Sequence, residues 1–434
     1  MKTIGFLLIA LLCRCVSSPA QSIAGDWQGA LNTGSELRTI LKIESASNGA
    51  WKGTLYSIDQ SSRGLPIPSL EFQNSQLKFS IPNFNGSYEG RLSADGNSIN
   101  GTWHQGQAWP LNFQRATKET AWNIDPTQHT VQFVEAEPGV KIEALDWGGD
   151  GRPLILLAGL GNIAHDFDKF AQKLITTYHV YGVTRRGYGE SSAPKPDGVN
   201  YNADRLGDDV LAVMAALKID KPVLVGHSIA GEELSSIGTR FPDKVAGLVY
   251  LDAGYSYAFY DDHAQMGDPS TDTSELKRQV DRLFDPVSMG EHKAILKHVL
   301  DDSLPRLERD LRDVQKQLAA ISDDTPPPPK SAEMEIAGAI QRGEQSYRGV
   351  KCPVLAIFAV PHKFGPGAPK DPEIIAQRNA RDLVQVAAFG AGNPGAQVVR
   401  LPNADHFVFY SNEAEVLQAM NGFISKLPGI AANK

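Results

Sequence analysis

A serine hydroxyl near neutral pH becomes a nucleophile only when a base accepts its proton, and it must stand clear of the backbone to reach a substrate. One stretch of the chain meets the second demand. Val223-Leu224-Val225-Gly226-His227-Ser228-Ile229-Ala230-Gly231 joins an apolar strand to a helix that begins near Ala230. A tight strand-to-helix turn of this kind pushes the Ser228 hydroxyl out of the sheet and sets the helix N-terminus beneath it. The last Gly of the usual G-x-S-x-G pattern is here Ala230, followed by Gly231, and Ala is small enough for the position. His227, flanking the nucleophile position, reads as structural.

The base is predicted at His406, in Leu401-Pro402-Asn403-Ala404-Asp405-His406-Phe407, beyond the last strand and before the closing helix. That loop and Ser228 both fall at the carboxyl edge of the strands. His165, His263 and His362 are further candidates. A third group must orient the imidazole and stabilise its charged form, and hydrolases with this turn order their residues Ser, acid, His. Asp252 ends the strand Leu248-Val249-Tyr250-Leu251, 24 residues after Ser228, and so emerges at the same edge. The more frequent place for the acid is after the next strand, but Phe358-Ala359-Val360-Pro361-His362-Lys363 is followed by no carboxylate before Asp371. Asp252 is therefore predicted, with Asp371 as the alternative. Asp405 is too close in sequence to reach its neighbour's ring.

Acyl transfer also needs donors for a developing oxyanion, each worth roughly 3 to 4 kcal/mol of barrier lowering. Ala158-Gly159-Leu160-Gly161-Asn162 leaves the central strand at the same edge, and the backbone N–H groups of Leu160 and Ile229 are the predicted pair. Glu232 and Glu233, in the first turn after Ser228, either read substrate polarity or complement the helix dipole.

These groups need a sheet to hold them. Val131 to Val134 and Lys141 to Leu145 read as two strands, and Leu154-Ile155-Leu156-Leu157-Ala158 as a buried central one. Similar runs at 180–183, 223–225, 246–251, 354–358 and 397–399 alternate with helical stretches, the pattern of a mostly parallel sheet with helices on both faces. Between Tyr255 and about Gly349 the strand signal stops. There Leu304, Leu307, Leu311, Val314, Leu318 and Ile321 mark an amphipathic helix, and the Pro326–Pro329 run breaks it. This insertion, about 255–349, reads as a helical cap over the site.

Ahead of this α/β domain, predicted at 118–434, residues 21–117 carry short alternating segments such as Leu77-Lys78-Phe79-Ser80-Ile81 and the hairpin signal Asp95-Gly96. They read as a small antiparallel all-β domain. Trp27, Trp51, Trp103 and Trp109 are expected in its core rather than in an aromatic binding cluster.

The chain has 434 residues, 41% hydrophobic and 21% charged, enough apolar material for a packed core and too much for a disordered chain. Its 42 Lys plus Arg against 50 Asp plus Glu argue against nucleic-acid binding, which needs a basic surface. Lys2, the apolar run Ile4 to Cys13 and the small residues Ser18-Pro19-Ala20 read as a secretory signal cleaved after Ala20, so the mature protein is expected to be secreted or periplasmic. The run falls short of the roughly 20 residues that cross a bilayer, and neither Cys13 nor Cys15 is placed for lipid attachment, so no stable membrane anchor is expected. Cleavage would leave a net charge of −10 and one cysteine, Cys352, expected as a buried structural thiol.

Across about 128–430 these residues resemble the α/β-hydrolase family. Leu157-Ala158-Gly159-Leu160-Gly161 is similar to the family's His-Gly oxyanion loop with Ala158 in place of His. Arg186-Gly187-Tyr188-Gly189-Glu190-Ser191 is similar to its R-G-x-G-x-S segment, and Gly226 to Gly231 to its nucleophile elbow. The insertion after the sixth core strand lies where the family places its cap. The resemblance implies a Ser228, Asp252, His406 triad in a carboxylic-ester hydrolase acting on a small-molecule ester, without metal or organic cofactor. Members with an Asp nucleophile, the epoxide hydrolases and dehalogenases, are disfavoured by Ser228. A peptidase or amidase is the nearest rival. A different reading makes the core inert and the β domain a binder of a glycan or envelope ligand.

Overall fold

The computed structural model describes residues 22–32, 36–46, 49–58, 64–82, 86–105, 107–125, 127–261, 269–319, 323, 332–363 and 372–429. The expected signal segment, the Pro326–Pro329 run, His263 and Asp371 lie outside the described residues.

Two compact units form, one of residues up to Ser57 with Gly64–Ile124, the other chiefly Asp125–Lys434. In the first, alternation sets the faces: Gln76–Ile81 and Gly86–Leu92 bury every second residue. Its antiparallel sheet runs from Leu65–Ile67 through Trp51–Ser57, Glu36–Ser45, Gly25–Asn32, Phe113–Arg115, Ser98–Gln105, Gly86–Leu92 and Gln76–Ile81 to Ser69–Gln73, with Gln107–Pro110 paired to Ser98–Gln105. Trp27 and Trp103 are buried in its core, and Trp51 and Trp109 pack against that core half-buried. The unit reaches seven residues past the expected 117 because the Gln28 side chain holds the segment that follows: its amide donates to Thr120 O at 2.9 Å and its oxygen accepts from Trp122 N–H at 3.1 Å.

In the second unit, eight strands form one sheet: β1 (Thr130–Glu137), β2 (Val140–Gly148), β3 (Pro153–Leu157), β4 (His179–Val183), β5 (Val223–His227), β6 (Gly247–Leu251), β7 (Val354–Ala359) and β8 (Gln397–Leu401). Their order is β1-β2-β4-β3-β5-β6-β7-β8, antiparallel at β1/β2 and β2/β4 and parallel thereafter. All eight predicted strands are present. Strands β5, β6 and β7 are buried at every residue, because core lies on both faces of the sheet.

The helices are α1 (Asp168–Leu174), α2 (Ala203–Ala216), α3 (Gly231–Arg240), α4 (Pro269–Asp281), α5 (Met289–His298), α6 (Leu304–Leu318), α7 (Ala332–Arg342), α8 (Pro372–Gly392), α9 (Val408–Ser411) and α10 (Glu413–Ile424). The insertion between β6 and β7 carries α4 to α7, three more helices than the one legible in the sequence. The α6 stripe does not face the core: Leu304, Leu311, Val314 and Leu318 are exposed, while Arg306 and Asp310 are buried. Polar partners turn the helix this way, since Arg306 donates to Asp261 O at 2.8 Å and lies over the Tyr260 ring.

The loop after β4 is anchored by a fully buried guanidinium. Arg186 donates from Nε and Nη2 to both oxygens of Asp209 on α2, each at 2.6 Å, and from Nη1 to Glu137 at 2.8 Å. This contact gives the R-G-x-G-x-S segment its structural purpose. Removing one partner of a buried pair leaves an uncompensated charge, so Asp209→Ala should lower the unfolding free energy by about 3 kcal/mol in urea titrations. A loss below 1 kcal/mol would mean that Glu137 alone satisfies Arg186.

Candidate active site

Ser228 leaves β5 at the sheet's carboxyl edge with φ +53°, a left-handed conformation that a residue with a side chain adopts only under restraint. One 3-10 turn, Ser228–Ala230, leads into α3. The close approach at this elbow occurs at Gly231, where an added Cβ would lie 2.0 Å from Ala253 O. Ala230 is buried with ordinary helical φ, which explains why the usual glycine is dispensable there.

His406 Nε2 lies 2.8 Å from Ser228 Oγ, and His406 Nδ1 lies 2.7 Å from Asp252 Oδ2. An ionised carboxylate only accepts, so Nδ1 carries the imidazole proton and Nε2 is left to accept from the serine. Asp252 follows β6 with φ +47°, held by its N–H on Ile357 O at 2.7 Å. The three predicted side chains, contributed after β5, β6 and β8, therefore meet in one chain of hydrogen bonds. Asp405 points elsewhere, its Oδ1 accepting from Phe407 N–H at 2.8 Å.

The fully buried Asp252 has two further partners on Oδ1, the Tyr255 hydroxyl at 2.8 Å and Ala359 N–H at 2.9 Å. It has one more on Oδ2, His362 Nε2 at 2.8 Å. The sequence reading named His362 only as a candidate base; it contacts the acid instead, and its Nδ1 lies 2.9 Å from Asp382 Oδ2 on α8. Burial opposes a charged imidazole, but hydrogen bonds to Asp252 and Asp382 outweigh it and push His362 up to about 10. Burial likewise favours a neutral Asp252, yet bonds from His362 and His406 hold its carboxyl well below the usual range.

The neighbouring groups fix this chain in place. His227 is buried and its Nε2–H donates to His406 O at 2.9 Å; burial and the nearby His406 push it down to about 3, so it is neutral and structural. Tyr257, from the segment after β6, hydrogen-bonds Ser228, and burial pushes its hydroxyl well above the ordinary range. Cys352 takes no part: burial pushes its thiol up to about 12.

The predicted oxyanion loop lies against the elbow, where a Cβ on Gly159 would sit 3.2 Å from Ser228 Cβ. Buried Arg185 donates to Ala158 O at 3.0 Å and to Gly159 O at 3.2 Å. In a trans peptide the carbonyl and the following N–H point oppositely, so Arg185 aims the Leu160 N–H away from itself. Glu233 holds the guanidinium through Nε at 2.6 Å. Glu232 and Glu233 are both buried, and neither Glu232 oxygen has a hydrogen-bond partner among the described residues. Burial, with the charges of Glu233 and Glu344, pushes Glu232 well above the usual carboxylate range. Ile229 and Leu160 pack in an apolar cluster with Ile163, Tyr257 and, from α7, Ile336 and Ile340.

The profile of the alpha/beta hydrolase fold matches residues 152–413. The chain belongs to the α/β-hydrolase family. Among curated relatives, the fluoroacetate dehalogenase of a Burkholderia species is 32% identical over 117 residues, 26% of this chain and 38% of its own length. The dihydrolipoyllysine-residue acetyltransferase component of the acetoin cleaving system of Pseudomonas putida is 27% identical over 67% of this chain and 69% of its own. The 2-(acetamidomethylene)succinate hydrolase of Mesorhizobium japonicum is 21% identical over 64% of this chain and 89% of its own. The crystal structure of E-2-(acetamidomethylene)succinate hydrolase aligns over 69% of this chain and all of that one, with 19% identity and a TM-score of 0.42.

In this α/β-hydrolase, the His362–Asp252 contact ties stability to pH in two directions. His362 is raised in the folded state, so its contribution is complete below the ordinary imidazole range, declines above it and is gone beyond about 10. Asp252 is lowered, so its contribution is present above the ordinary carboxylate range and is lost as pH falls through its depressed value. Urea titrations at pH 7, 8.5 and 10 should show wild-type stability declining with pH more steeply than that of His362→Asn. Parallel curves for the two proteins would exclude a charged His362.

Proposed function

We propose that the chain is an exported serine hydrolase that cleaves carboxylic esters through an acyl-enzyme on Ser228. The observation that carries this reading is the Ser228–His406–Asp252 chain, at 2.8 and 2.7 Å, with the hydroxyl at a strained elbow. Ser228 Oγ attacks the ester carbonyl carbon while its proton passes to His406 Nε2, and the N–H groups of Leu160 and Ile229 receive the negative oxygen. Collapse breaks the carbon–alkoxy bond, and His406 returns the proton to the departing alcohol. Water then attacks the acyl-serine, gives its proton to His406, and a second collapse frees the acid and restores Ser228. Asp252 keeps Nδ1 protonated throughout, and Tyr257 holds the serine oxygen.

The α7 isoleucines beside Leu160 and Ile229 favour an apolar acyl group. Export rests on Lys2 and the apolar run after it; among the described residues no helix is long and apolar enough to cross a membrane.

Ser228→Ala should abolish hydrolysis of a short p-nitrophenyl ester and labelling by an alkyl fluorophosphonate, with the melting temperature near wild type. Asp252→Asn should reduce kcat by about 10³-fold or more, and Asp371→Asn should leave it near wild type; the reverse result assigns the acid to Asp371. Full turnover in Ser228→Ala rejects the nucleophile, and turnover of a matched amide above the ester makes the enzyme an amidase.

His362→Asn supplies a finer test. A charged His362 shares the Asp252 carboxylate with His406, so its removal should move the limbs of the kcat/KM pH profile. A lowered plateau with unmoved limbs would make His362 merely structural.

A further inference from the structure

We propose that Asp125, His129 and His165 form a binding site for a zinc-class divalent transition metal, separate from the catalytic groups. One potential ligand atom from each residue lies within 4.8 Å of the others. Asp125 Oδ2 and His129 Nε2 are 3.4 Å apart, and the His129 and His165 rings have centroids 4.9 Å apart. With zinc–nitrogen and zinc–oxygen bonds of about 2.0–2.1 Å, neighbouring ligand atoms of a tetrahedral site stand roughly 3.4 Å apart. The first pair already has that spacing.

The surroundings select which ring nitrogens carry the proton. His165 Nδ1 lies 3.1 Å from Asp168 Oδ2, and the other Asp168 oxygen accepts from Trp147 Nε1–H at 2.9 Å. The carboxylate therefore holds the proton on Nδ1 and leaves Nε2 with its lone pair, the arrangement that orients a metal-binding imidazole. His129 has a matching support. Its Nδ1 lies 3.4 Å from Thr127 Oγ1, whose own proton goes to Asp125 Oδ1 at 3.0 Å. The hydroxyl thus accepts from Nδ1–H, so His129 Nε2 turns a lone pair towards Asp125 Oδ2. Two electron-rich atoms at that distance repel unless a positive charge sits between them.

A proton on Nε2 would satisfy that single pair. A metal ion satisfies it and the second imidazole together, and two neutral imidazoles with one carboxylate suit zinc, cobalt or nickel rather than the all-oxygen preference of calcium or magnesium. Buried Glu143 has an oxygen, Oε2, with no hydrogen-bond partner among the described residues. The ion would clamp the segment leading into β1 to the segment that follows β3, which begins at Ala158. Three protein ligands leave a fourth position for water.

Tag-free protein, stripped with a chelator and dialysed, should bind one equivalent of Zn(II) in competition with a chromophoric chelator and melt at higher temperature when loaded. Co(II) should give the intense d–d bands of four-coordinate geometry. His129→Ala and His165→Ala should each weaken binding at least 100-fold, and Asp168→Asn or Thr127→Val by roughly 10- to 100-fold, as supporting groups of metal ligands do. Circular dichroism checks the fold of each variant, and labelling of Ser228 by the fluorophosphonate gives a separate readout for the hydrolase reading. No stoichiometric binding, or binding undiminished in both histidine variants, would overturn the site. A His129 that titrates as an imidazolium in the presence of Zn(II) would reduce the cluster to an ion pair and would also overturn it.

Discussion

A carboxylate removed from water must have its charge answered by donors, and the second unit is arranged around meeting that demand for Asp252. Its two oxygens receive four partners from four places: Tyr255 after β6, Ala359 N–H at the end of β7, His362 just beyond it and His406 after β8. None of these is adjacent in the chain to another on the same oxygen. The ends of three parallel strands must therefore be in register before the carboxylate can be buried at all, and the arrangement that buries it also brings His406 to Ser228.

The same edge stores backbone strain. Ser228 and Asp252, following neighbouring strands β5 and β6, both take left-handed φ, at roughly 1–3 kcal/mol each. Fully buried strands on either side over-determine the two positions, and Ile357 O fixes the Asp252 N–H. Arg185 extends the scheme to the loop after β3. A guanidinium neutralised by Glu233 from α3 takes two carbonyls of that loop, so the helix after the nucleophile also sets the direction of the N–H groups opposite it.

Much of this was legible because it rests on local pattern. Two short mixed segments and the apolar runs after them marked the eight strands, and the ends of those runs placed Ser228, Asp252 and His406 on one edge. What stayed hidden depends on convergence. The absence of a carboxylate shortly after β7 was visible, but nothing in Pro361-His362 indicates that the imidazole turns to an acid 110 residues earlier rather than to the serine. Glu232 and Glu233 look like ordinary first-turn residues, yet in the fold both are buried, with Glu233 on the Arg185 guanidinium. In α6 the apolar periodicity was legible while the side it faces was not, since Arg306 finds its partners on the inner side and leaves the leucines outside. The segment from 118 to 124 joins the first unit through two hydrogen bonds of Gln28, a contact across more than 90 residues that no linker-like composition announces.

Placing the acid after β6 rather than after β7 alters what β7 must do. An acid on β7 would bring its own charge to the edge; with the acid on β6, the end of β7 is free to donate, and it does so twice, through a backbone N–H and an imidazole. The imidazole is itself anchored by Asp382 on α8, so a second carboxylate sits behind it. The result is an alternating series, Asp382, His362, Asp252, His406, Ser228, in which each acceptor faces a donor. A neutral group in place of His362 could keep the geometry but not the balance, because Asp252 would then keep Tyr255, Ala359 N–H and His406 but lose the cation beside it. The unusual position of the acid and the extra histidine are therefore one feature, and the pH response of the site follows from both together.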